Sequence, residues 1–143
     1  MMATLGAKKE APLHPPVDIK WIRNPAGKFH NLMMLEIEIE RLQGVPGVFV
    51  IWRGGIKPEW LYAGSTQNLD HALNQFINDP HMEEHYNRGR VYVSWAQIKV
   101  EYQPGVVRYL NEVMKPEIEA PEVDDLNRRQ VPMIAVFLPG LER

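Results

Sequence analysis

Cysteine is absent from all 143 residues, so disulfides and thiolate metal sites are excluded and the redox compartment stays open. No apolar run approaches the ~18 residues needed to cross a bilayer. Lys8-Lys9 is not followed by the apolar stretch of a secretory signal. Nor does one sign of charge dominate. Sixteen Lys and Arg stand against 18 Asp and Glu, for a net charge of -2 and a pI of about 6.2. That balance gives no global pull toward nucleic acid or acidic membranes, and leaves only local basic patches to consider. Internal repeats and low-complexity tracts are also missing. The chain is 45% hydrophobic, enough for a folded core, and its length favours one domain. A soluble, intracellular, cytoplasmic protein without a membrane partner is expected.

The first 28 residues hold four prolines (Pro12, Pro15, Pro16 and Pro25) and little periodicity, which predicts an extended or disordered arm. Within it Val17, Ile19 and Trp21 alternate with Asp18 and Lys20, as a short edge strand or a docked arm would. A single domain is expected over residues 29–143. Leu32, Leu35, Ile39 and Leu42 are spaced as one helix face, with Asn31 as N-cap and Gly44 and Pro46 as the stop.

Val48 to Trp52 is β-branched and aromatic and predicts a buried strand. Arg53 to Pro58 reads as a turn, and Trp60 to Ala63 as a second strand completing a hairpin. Ser65 or Thr66 is positioned to cap a helix carrying Leu69, Ala72, Leu73, Phe76 and Ile77, which Asp79-Pro80 ends. Residues 81–90 read as polar and exposed. Val91, Val93 and Trp95 predict a third strand, and Gly105 opens a helix that Pro116 stops. Residues 117–130 read as a loop, and Val131 to Leu138 as a last strand bounded by prolines.

The order of these words resembles the GIY-YIG nuclease superfamily. Gly47-Val48-Phe49 matches the first triplet, Tyr62-Ala63-Gly64 the second, and Ser65-Thr66-Gln67-Asn68-Leu69 the link into the helix. Glu112-Val113-Met114-Lys115-Pro116 is similar to the end of the helix that carries the family's metal ligand. The match covers roughly residues 45–120. The resemblance implies an α/β fold of the α+β type. It would have a small three-stranded antiparallel sheet flanked by helices, with an extra C-terminal strand and the N-terminal arm added here.

It also implies phosphodiester hydrolysis by a tyrosine aided by a second one, an arginine that spreads the phosphorane charge, and a glutamate that holds one divalent metal. Carried over residue by residue, the first tyrosine falls on Phe49, the second on Tyr62, the arginine on Ala72 and the metal glutamate on Val107. The asparagine after the proline falls near Glu119. A shift by one in the last helix would put Arg108 at the glutamate's place. The expectation is therefore a catalytically degenerate GIY-YIG-like domain that acts as a binding or assembly module, with a protein or nucleic acid as partner. No cofactor and no metal site are expected. The alternative is an active endonuclease in which Tyr62 works with non-standard partners such as His71, and Mg²⁺ enters only there.

Other constellations are weaker. His81-Met82-Glu83-Glu84-His85 fits the His-x-x-Glu-His zinc-peptidase pattern, but lies in a short polar stretch that reads more simply as an exposed loop. Arg88 and Arg90, interleaved with Tyr86 and Tyr92, offer phosphate contacts and stacking, and Arg53 and Lys57 on the hairpin loop can join them. Trp52, Trp60 and Trp95 read as core. Glu122, Asp124 and Asp125 read as a solvated loop.

Overall fold

The computed structural model describes residues 11–142. Its centre is β2 of a four-stranded antiparallel sheet. The strands are β1 (His30–Asn31), β2 (Gly47–Arg53), β3 (Glu59–Thr66) and β4 (Val91–Ala96), in the order β1-β4-β2-β3. All seven residues of β2 are buried, which is why it reads as a continuous apolar run rather than an alternating one. Phe49 and Ile51 face one core cluster, while Val48, Val50 and Trp52 face the other. Gly47 lies where no side chain fits, since a Cβ would stand 2.7 Å from the Ala96 carbonyl oxygen.

Five α-helical segments complete the described chain: α1 (Ile37–Glu40), α2 (Leu69–Ile77), α3 (Glu83–Asn87), α4 (Gln103–Met114) and α5 (Val123–Arg128). Helix α2 buries Leu69, Ala72 and Leu73 against the Phe49 face. Helix α4 buries Val106, Val107 and Leu110 against the Val48 face. Gly105 permits a close approach there, because a Cβ would meet the Pro132 carbonyl oxygen at 2.5 Å. Among the described residues no helix is long and apolar enough to cross a membrane.

Several expectations are corrected. The sheet has four strands rather than three, because His30 and Asn31 pair with Val93 and Tyr92 on the outer side of β4. The helix expected over residues 30–43 is broken into β1, a 3-10 turn at Leu32–Met34 and the single turn α1. The residues actually buried are Leu32, Ile37 and Leu42, a spacing of five that no helix face has, and Ile39 is 66% exposed. Arg41, in the left-handed region at φ 56°, ends α1. Asn31 does cap, but caps the 3-10 turn, its side chain accepting from Met33 N at 3.1 Å.

The cap of α2 is Asn68 rather than Ser65 or Thr66, since β3 runs on through Thr66. Residues 81–90 are not all exposed: α3 falls within them, and Met82 and His85 are buried. The loop expected over 117–130 contains α5, whose Val123 and Leu126 are buried. The expected C-terminal strand contributes one parallel bridge, Val136 to Val17, between two prolines that limit the ladder.

The described part of the arm is docked; residues 1–10 lie outside the described residues. Trp21 is buried, its indole N–H donating to the Phe137 carbonyl at 2.6 Å, and Ile22 N donates to Trp95 O at 3.0 Å. The last turn of α4 and the segment after it run along the outer side of β3. Ile118 N donates to Leu61 O at 2.9 Å, and Asn111 Nδ2 to Ala63 O at 3.0 Å. Glu122 accepts from Ser65 N at 3.1 Å.

Candidate functional site

Tyr62 stands on β3 opposite Ile51, and its ring packs between two others. Phe49 stacks on it at 5.4 Å between centroids, and Phe76 of α2 tilts against it at 4.7 Å. Ala72 belongs to the same cluster, so Phe49, Tyr62 and Ala72 do gather on one face of the sheet. The phenol pKa is pushed up from 10 to about 12, first by burial and then by the Glu122 carboxylate. At neutral pH only about one ring in 10⁵ would be ionised.

Glu122, which the sequence places in a solvated loop, is instead half-buried beside this cluster. It stands at the start of α5, and its carboxylate accepts from both Ser65 N (3.1 Å) and Ser65 Oγ (3.2 Å). The signal was present: Pro121 precedes an apolar pair, Val123 and Leu126, spaced i, i+3 as a short helix face. His71 does not stand in for an arginine in this cluster. It is exposed on α2, while its neighbour Ala72 turns inward.

Val107 is elsewhere. It is fully buried among Val48, Val50 and Leu110, on the opposite face of the sheet from Tyr62. A carboxylate there would be separated from the phenol by the sheet itself. The loss of a metal ligand therefore cannot be argued from Val107. Arg108, the neighbouring candidate, donates to Asn127 Oδ1 at 3.0 Å and to Val131 O at 2.6 Å, and so ties α4 to α5 and the chain beyond it. Among the described residues no group of three or more His, Asp or Glu is placed to hold a metal ion.

The four basic candidates do not form one surface. Arg53 is 2% exposed. Its Nε donates to Glu59 Oε1 at 3.1 Å, and its Nη2 stands 2.8 Å from Oε2 as an ion pair without hydrogen-bond alignment. Its Nη1 lies 2.9 Å from His85 Nδ1. A guanidinium can only donate, so Nδ1 accepts and the imidazole proton sits on Nε2, 3.5 Å from Glu117 Oε2. Glu59 raises the Arg53 pKa further, mainly through that hydrogen bond. Arg53 is thus a structural cation, out of reach of a surface phosphate.

His85 is committed to this chain of contacts, and His81, 95% exposed in its side chain, bonds Asp79. The two histidines therefore share no metal-binding face. Tyr86 turns inward, its hydroxyl donating to Phe76 O at 3.4 Å. Lys57 and Arg88 are exposed. Arg90 is exposed too, and lines a groove with Tyr92 and Trp52. No family model, no curated protein and no solved structure matches this chain.

Proposed function

We propose that this chain is a GIY-YIG-like scaffold without phosphodiester hydrolysis, acting as a binding or assembly module for nucleic acid or protein. The observation that carries the reading is the state of Tyr62. Its phenol is held neutral by burial and by Glu122, with Phe49 and Ala72 where the resemblance would have a second hydroxyl and a cation. A general base works best with a pKa near the working pH, and a proton acceptor near 12 is some five decades away at neutrality. Loss of one charge-stabilising donor typically costs ~10²–10³ in rate, before any metal is considered. A cytoplasmic location goes with this reading.

The test is incubation of the purified protein with supercoiled plasmid and single-stranded DNA, with Mg²⁺ or Mn²⁺. No cleavage above the buffer control is expected. Cleavage abolished by Tyr62→Phe would overturn the proposal in favour of an active endonuclease built on Tyr62. A salt-sensitive gel shift without cleavage would favour nucleic acid over protein as the partner.

A further inference from the structure

At the β1 edge of the sheet, the far side from β3 and Tyr62, the arm and three strands, β1, β2 and β4, line an open groove of about 830 Å³. Its lining includes three cations, Arg23, Lys28 and Arg90, and no Asp or Glu. In a chain with net charge -2, that is a local reversal of sign. Between the cations lie aromatic rings. Phe29 meets Trp52 edge-on at 4.9 Å, and Trp52 stacks on Tyr92 at 5.9 Å. Phe29 and Tyr92 are part-exposed, and Trp52 is the buried floor.

The groove is held in place by the fold. Gly54 leaves room for the Tyr92 ring, since a Cβ there would stand 2.5 Å from Tyr92 Cε2. Asn24 organises the turn beneath Lys28: its Oδ1 accepts from Ala26 N at 2.9 Å and Lys28 N at 3.0 Å, and Gly27 takes φ +79°. Arg23 lies 4.0 Å above the Phe29 ring and donates to Gly27 O at 3.1 Å, with Glu142 at 3.3 Å as its counter-ion. Lys28 and Arg90 form no ion pair with any described residue, so their charges remain available to a ligand.

We propose that this groove binds a nucleotide unit, its phosphate between Lys28 and Arg90 and its base against the Phe29–Tyr92 aromatic row. Both halves of that chemistry are needed to use the surface. A bare anion leaves the part-exposed surface of Phe29 and Tyr92 uncovered, and an apolar ligand leaves two cations without a counter-charge. The site is separate from the Tyr62 cluster and does not depend on how that cluster is read.

The probe is a short fluorescein-labelled oligothymidylate followed by anisotropy at about 50 mM and about 200 mM salt, with unlabelled ATP or unlabelled strand as competitor. Binding that weakens with salt is expected. The Lys28→Ala/Arg90→Ala double variant should weaken it about tenfold or more and lower the salt slope by about 1 per cation removed. Arg128→Ala, on α5 and outside the groove, should leave it unchanged. Both sets of changes are on exposed side chains, so the variants should fold, which circular dichroism checks. Competition by ATP makes the free nucleotide the ligand; competition by the strand alone makes it a unit of a strand. No binding at the lower salt, or equal loss with Arg128→Ala, overturns the proposal. Tyr62-dependent cleavage would overturn the preceding reading and leave this one standing.

Discussion

Tyr62 lies over Gly64, two residues along the same strand: a Cβ built on Gly64 would stand 2.8 Å from Tyr62 Cε1 and 3.0 Å from its hydroxyl oxygen. Residues i and i+2 of a strand share a face, so the glycine two places on decides where the tyrosine ring can rest. The Tyr-Ala-Gly word is therefore a packing arrangement as well as a motif.

Gly64→Ala should force the ring off its place between Phe49 and Phe76 and destabilise the protein by about 1–3 kcal/mol, the usual range for overpacking. In Tyr62→Ala the same glycine substitution should cost less. The two effects should then fail to add in urea denaturation, giving a coupling of about 0.5 kcal/mol or more. Additive behaviour would mean the ring and the glycine are not in conflict.

The raised phenol also sets an alkaline limit. The folded pKa, about 12, exceeds the ordinary tyrosine value of 10. As pH rises past 10 the unfolded chain loses this proton first, so the folded state binds more protons and stability falls with pH. The contribution should be fully present below about pH 10 and lost as pH climbs to about 12. Denaturation midpoints across that window should fall less steeply for Tyr62→Phe than for the wild type. Equal slopes would remove burial of the phenol as the cause.

The contacts from Glu59 through Arg53 to His85 predict an unequal pair of variants. Glu59→Gln leaves a guanidinium 2% exposed without its close carboxylate, whereas Arg53→Met removes the charge and keeps an unbranched side chain in its place. Breaking a buried pair from one side is costly because the remaining charge stays buried. Glu59→Gln should therefore lower the urea midpoint more than Arg53→Met, although Glu59 is the more exposed residue. The reverse order would show that Arg53 stabilises through packing alone.

Val107→Glu should not restore a metal site. It places a carboxylate at a fully buried position on the α4 side of the sheet, which should cost about 3 kcal/mol or more or prevent folding. Ala72 also turns inward, but it is 9% exposed against 0% for Val107, and an arginine's long stem can carry its charge toward solvent, so Ala72→Arg should be tolerated better. Soluble expression and thermal melts of the two single variants separate these outcomes.

The central hairpin and β4 were legible because Val48 to Trp52 and Val91 to Trp95 carry the β-branched and aromatic residues that buried strands require. Helices α2 and α4 were legible from apolar spacing and from their stops at Asp79-Pro80 and Pro116. A two-residue strand such as His30–Asn31 has no period to read, and its place is set by the sheet edge it meets. The run from Val131 to Leu138 reads as a strand because it is apolar, yet only Ala135 and Val136 are buried in it, and Ile134 N donates to Gly105 O of α4 at 3.1 Å rather than to a neighbouring strand. The same limit applies at the site. The resemblance set Phe49, Tyr62, Ala72 and Val107 in one site; the first three share a cluster, and Val107 lies on the opposite face of the sheet. The contacts of Glu122 with Ser65 and of Arg53 with His85 join residues 57 and 32 positions apart, and no local pattern encodes them.

Residues 111–122 engage part of β3's outer row of amides and carbonyls: Leu61 O, Ala63 O and Ser65 N are all bonded from the same side. An open strand edge is a template on which a second copy can add a strand. Residues 111–122, which contain no strand, narrow the length of that edge open to such pairing. Glu122→Ala, which removes the acceptor for Ser65 N, would expose one more group on that edge, and a greater tendency to aggregate is the effect to look for.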